Sequence, residues 1–98
     1  MNTALEPIPT EPQAEVGSLR ARAELAAGII DYHHIPASMI YFYAVEGGYC
    51  VTVHCQDVPA MCEALGVELA WKYNEAGTRR HVSVIIEGIE FSGSEECK

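Results

Sequence analysis

Cysteine and histidine are the residues of this chain with the most reactive potential: Cys50, His54 and Cys55 lie close together, with His33 and His34 upstream and Cys62 and Cys97 downstream. Thiolate with imidazole makes a nucleophile and base, and the same donors bind zinc. The spacing supports neither use locally. On an extended strand, Cys50 and His54 stand roughly 13 Å apart, beyond hydrogen-bond reach, while Cys50 and Cys55 point to opposite faces. The cysteines contain no CxxC pair. The carboxylates run from Glu6 to Glu96 without forming the converging set that acid–base chemistry needs. No catalytic residue, metal ligand or cofactor is therefore assigned, and the chain reads as a non-enzyme. The alternative is a small-ligand or metal-dependent module or enzyme that uses His54, Cys50 and His33 or His34.

Composition narrows the class of partner. Fourteen acidic residues against six basic ones give the 98-residue chain a formal charge of −8. That balance repels phosphates and argues against direct nucleic-acid binding, which needs clustered Lys and Arg. The one basic pair, Arg79-Arg80, reads as a solvated strand start. The N-terminal stretch MNTALEPIPTEPQAEV has neither a basic nor an apolar leader segment, and no apolar run is long enough to cross a bilayer. The expected location is the cytoplasm, without membrane contact and with the cysteines reduced.

The elements that would carry these residues follow from periodicity and turn chemistry. Residues 1–17 read as a disordered acidic arm, 18–92 as a single domain and 93–98 as a flexible tail. Ser18 caps a helix to about Tyr32, with Leu19, Ala23, Ala26, Ile29, Ile30 and His33 near one stripe. A hairpin follows, Met39 to Val45 and Tyr49 to Cys55, around Glu46-Gly47-Gly48. Asp57 caps a short helix that ends before Gly66, with Met61, Cys62 and Leu65 buried. Val67, Leu69, Trp71 and Tyr73 then alternate with polar neighbours as a half-buried strand. His81 to Ile86 and Ile89 to Phe91 form a second hairpin across Glu87-Gly88, placing Val82, Val84, Ile86, Ile89 and Phe91 inward. The fold class is α+β, order αββαβββ: a two-layer domain with two helices on one face of an antiparallel sheet of about five strands.

The first hairpin carries more apolar side chains than one covered face can use. A two-residue turn puts Ile40, Phe42 and Ala44 with Val51 and Val53 in the core, leaving Met39, Tyr41, Tyr43 and Val45 outside beside Cys50, Thr52 and His54. A three-residue turn swaps the first strand's sets. Either way large apolar groups face outward. Exposed Tyr and Met are tolerable singly, and a pocket lined by Tyr hydroxyls, Cys50 and His54 is conceivable. An interface uses them better, since Tyr-rich patches give large contact area at low entropic cost. Met39, Tyr41, Tyr43 and His54 are the partner-binding candidates, for another protein or for self-association as a homodimer.

The segment from Leu25 to Phe91, with IPASMIYFYAV after a helix, the stretch ALGVELAWKY and the closing RHVSVIIEGIEF, resembles small domains of unknown function from actinobacteria and their phages. The likeness spans about two thirds of the chain and consists of turn and core residues. Those domains share the helix, hairpin, helix, meander order, with a Leu-Gly after the second helix and an Asp-Gly or Glu-Gly turn near the end. This chain departs from them in placing Tyr41 and Tyr43 where they are more polar. The resemblance implies burial of Ile40 and Phe42, and an accessory protein of phage or prophage origin that blocks a host factor. It implies no active site.

Overall fold

The computed structural model describes residues 14–97. Its elements are α1 (Leu19–His33), β1 (Met39–Val45), β2 (Gly48–His54), α2 (Val58–Leu65), β3 (Lys72–Tyr73), β4 (Arg79–Ile86) and β5 (Ile89–Glu96). The fold is α+β, with one five-stranded open sheet in the order β1-β2-β5-β4-β3. Among the described residues no helix is long and apolar enough to cross a membrane.

Local chemistry sets the helix ends. The Ser18 hydroxyl accepts from the Ala21 N–H at 3.1 Å, and Asp57 Oδ1 accepts from the Ala60 N–H at 3.0 Å, each satisfying a donor that its helix leaves unpaired. Gly66, at φ 71°, closes α2. Its N–H bonds the Glu63 carbonyl and the Val67 N–H bonds the Cys62 carbonyl, the Schellman pattern. α1 closes on His34 in the left-handed region, and the Ile35 N–H returns to the Ile30 carbonyl at 3.0 Å.

One core lies between the helices and the sheet. Ala26 and Ile29 of α1 and Val58, Met61 and Cys62 of α2 pack with Val51 and Val53 of β2, Val82 of β4 and Ile89 and Phe91 of β5. The pairs Val53↔Phe91 and Val84↔Phe91 put these strand residues on one side, so both helices cover the same face. The second hairpin matches its predicted register, with Ile86 opposite Ile89 and Val84 opposite Phe91. Its turn, Glu87-Gly88, has positive φ at both residues, as a type I′ turn requires.

The structure departs from the sequence expectations in four places within the predicted domain and tail, and in a fifth at residues 15–17. The sheet is mixed, because β2 and β5 run parallel from Thr52↔Glu90 to His54↔Ser92. α2 carries the chain over β5 to the far edge, so the returning meander meets β2 in the same direction. Of the predicted strand at residues 67–74 only Lys72–Tyr73 pairs, since the Schellman closure turns Val67 back toward α2; Val67 and Trp71 still pack on the core. The predicted tail at 93–98 is ladder as far as Glu96, with Gly93 buried, and the Cys97 N–H reaches the Thr78 carbonyl at 2.7 Å. Ile40 and Phe42, predicted to be core, are 40% and 47% exposed. The helices pack over β2 and β5, and β1 lies one strand beyond their reach.

Of the predicted N-terminal arm, residues 1–13 lie outside the described residues. Residues 15–17 are ordered against the sheet. Gly17 exchanges two main-chain hydrogen bonds with Tyr49, at 2.8 and 3.0 Å, and the Glu15 N–H bonds the Gly88 carbonyl at 2.9 Å. They occupy the place beside the start of β2 that β5 does not reach. Gly48 permits this closeness, because any Cβ there would come 2.5 Å from the Gly17 carbonyl oxygen. Its φ of 148° disfavours a side chain as well.

Candidate interaction surface

The β1–β2 ladder runs from Met39↔His54 through Tyr41↔Thr52 and Tyr43↔Cys50 to Val45↔Gly48. This is the register of a two-residue turn. Alternation then fixes the faces. Met39, Tyr41 and Tyr43 share the uncovered face with Cys50, Thr52 and His54, so all four predicted partner-binding residues are brought together. The Tyr41 and Tyr43 rings stack at 6.2 Å between centroids, with 24° between planes.

The opposite side of β1 is also open. Every residue of the strand is exposed, Tyr41 at 40% and Tyr43 at 49% alongside Ile40 and Phe42. Sequence reading misses this second apolar flank because it takes Ile40, Phe42 and Ala44 to share the covered face of Val51 and Val53 along their whole strand. In the fold β1 pairs only with β2 and so ends at the sheet edge, a placement set by long-range topology.

The main-chain geometry of this edge follows from the Tyr49–Gly17 exchange. Tyr49 directs its N–H and C=O away from β1, so Gly48, Cys50, Thr52 and His54 direct theirs toward it. Their partners on β1 point back toward β2. The N–H and C=O groups of Ile40, Phe42 and Ala44 consequently line the free edge.

Polar groups frame the uncovered face. Glu90 of β5 accepts from Thr52 Oγ1 at 2.8 Å and from Ser83 Oγ at 2.6 Å, which ties β2, β5 and β4 together. Ser38 Oγ donates to the His54 carbonyl at 3.0 Å and lies 3.2 Å from His54 Nδ1. Far from this surface, the Arg80 guanidinium lies over the Trp71 ring at 4.0 Å and pairs with Glu95; the Glu95 and Tyr73 contacts raise its pKa above the ordinary arginine value.

The histidines and cysteines do not converge. Cys50 and His54 lie on the uncovered face and His33 and His34 belong to the helix layer, with the sheet between them. His33 instead lines a groove of about 290 Å³ with Glu24, Leu25, Gly28, Ile29, Tyr32 and Glu87. Cys55 and Cys62 are buried in the core, where loss of solvent, then proximity to Cys62, pushes the Cys55 thiol up to about 11. Burial also raises Cys62. Among the described residues no three His, Cys, Asp or Glu side chains are grouped to hold a metal ion.

Comparison of the chain with protein-family models, with curated proteins and with solved structures returned no match.

Proposed function

We propose that this protein is a small non-enzymatic interaction module that acts through the first hairpin, β1–β2, by self-association or by docking on another protein. The carrying observation is that β1, whose residues are Met39-Ile40-Tyr41-Phe42-Tyr43-Ala44-Val45, is exposed along its full length on both flanks. Exposed large side chains scattered singly need no explanation; seven apolar and aromatic residues in one unbroken edge strand do. Edge strands are ordinarily protected by Lys, Pro, bulges or a covering element, and this strand contains neither Lys nor Pro. Met39, Tyr41, Tyr43 and His54 supply the contact face. The acidic balance suits a protein partner rather than a phosphate backbone. The resemblance to actinobacterial and phage domains fits an accessory protein of this kind.

Replacing Tyr41 and Tyr43 together by Ser tests the reading. Both side chains are half exposed, so unfolding stability should change by about 1 kcal/mol or less. Assembly measured by sedimentation velocity, or retention of a partner by the immobilised chain, should be lost. Unchanged assembly and retention by the double variant would refute this surface. His54→Ala abolishing ligand or metal binding, with Tyr41 and Tyr43 immaterial, would favour the ligand-binding alternative.

A further inference from the structure

Resting on that reading, we infer that the occupant of the free edge is a second copy of this chain, joined by antiparallel β1–β1 pairing about a twofold axis through Phe42. The main-chain groups of Ile40, Phe42 and Ala44 are the ones that face outward, and these residues are spaced symmetrically about Phe42. Turned through the twofold, Phe42 meets Phe42 and Ile40 meets Ala44 of the other copy. Every outward N–H and C=O then finds a partner, and the two sheets become one. Tyr41 of one copy stands opposite Tyr43 of the other on the uncovered face, extending the stack already present within each chain.

Charge permits the approach. β1 carries no ionisable group but its two tyrosines, and the neighbouring Glu46 falls opposite Ser38 of the second copy rather than opposite another carboxylate. The area sets a ceiling. Six large side chains of β1 are 40–52% exposed, namely Met39, Ile40, Tyr41, Phe42, Tyr43 and Val45. At roughly 150–250 Å² for a large side chain, their whole exposed surface is on the order of 500 Å² per copy, so a pair buries at most about 1,000 Å², the small end of specific interfaces and the range of a weak dimer. Residues 15–17 do not occupy this edge: they lie on the β5 side of β2, with Gly17 at Tyr49 and Glu15 at Gly88.

The test uses the full-length chain in sedimentation equilibrium. The wild type should form a dimer with a Kd on the order of 1–100 µM. Phe42→Lys and Phe42→Glu each place like charges face to face at the axis and should weaken the dimer roughly 100-fold. Circular dichroism should show wild-type folding, since Phe42 is half exposed. Mixing the two variants should restore a one-to-one dimer, because only a residue that faces itself responds to reciprocal charges in this way. A monomeric wild type, or a dimer that tolerates Phe42→Lys, overturns the pairing. So does failure of the mixed variants to associate. If Tyr41→Ser with Tyr43→Ser still abolishes retention of another protein in any of these cases, the interaction-module reading stands without the homodimer.

Discussion

The four cysteines divide by environment: Cys55 and Cys62 sit in the core while Cys50 and Cys97 are half-buried at the surface. A thiol reacts as its anion, so an aromatic disulfide reagent near neutral pH should label Cys50 and Cys97 in the native protein, and Cys55 and Cys62 only after unfolding. The same burial links stability to alkaline pH. The folded Cys55 keeps its proton up to about 11 whereas an unfolded thiol gives it up near 9. Between those values the unfolded state binds fewer protons, so stability falls as pH rises. Urea titrations from pH 8 upward should show this decline, and Cys55→Ala should make it shallower, the remainder coming from the buried Cys62. Reactivity was partly legible in the sequence, because the CxxC-free spacing and strand alternation separated Cys50 from Cys55. The same alternation puts Cys55 on the face of Val51 and Val53, while its complete burial also needs the β2–α2 link to close over it.

Gly93 shows how an element's limits depend on packing that a sequence does not display. Ser92-Gly93-Ser94 reads as a polar tail, yet a Cβ on Gly93 would stand 2.4 Å from the Cys55 carbonyl oxygen and 2.5 Å from Val58 Cγ2. The β2–α2 connection crosses β5 there, and absence of a side chain is what lets β5 continue to Glu96. Gly93→Ala should destabilise the fold by about 2–3 kcal/mol through overpacking, seen as a lower urea midpoint, with little effect on β1. Helix caps, the hairpin turns and the second hairpin's register were legible because each rests on neighbours in sequence; for the first hairpin the sequence allowed a two- or a three-residue turn, and the ladder selects the former. β3 was over-read: of Val67, Leu69, Trp71 and Tyr73 only Val67 and Trp71 pack on the core, Leu69 and Tyr73 are exposed, and strand pairing also needs the chain to run beside β4. The candidate surface was half legible. Met39, Tyr41, Tyr43 and His54 fell on the uncovered face as predicted, while the exposure of Ile40 and Phe42 required knowing that α1 rests on β2 and β5.

Two copies that each carry a formal charge of −8 repel as they approach, although the strand at which they meet is neutral. Association through β1 should therefore tighten several-fold as ionic strength rises from roughly 0.02 to 0.2 M, where the screening length falls from about 20 to 7 Å. Weakening with salt would instead indicate a contact held by ion pairs. Acidic charge then limits how readily an adhesive strand finds the wrong surface, at some loss in its affinity for the right one.

The parallel junction of β2 with β5 also governs how this chain is made. Thr52 waits for Glu90, 38 residues further on, so the ribbon at β1–β2 emerges during synthesis long before the strand that will shelter its inner side. Throughout that interval the nascent chain presents two sticky edges rather than one, until β5 closes the inner of them.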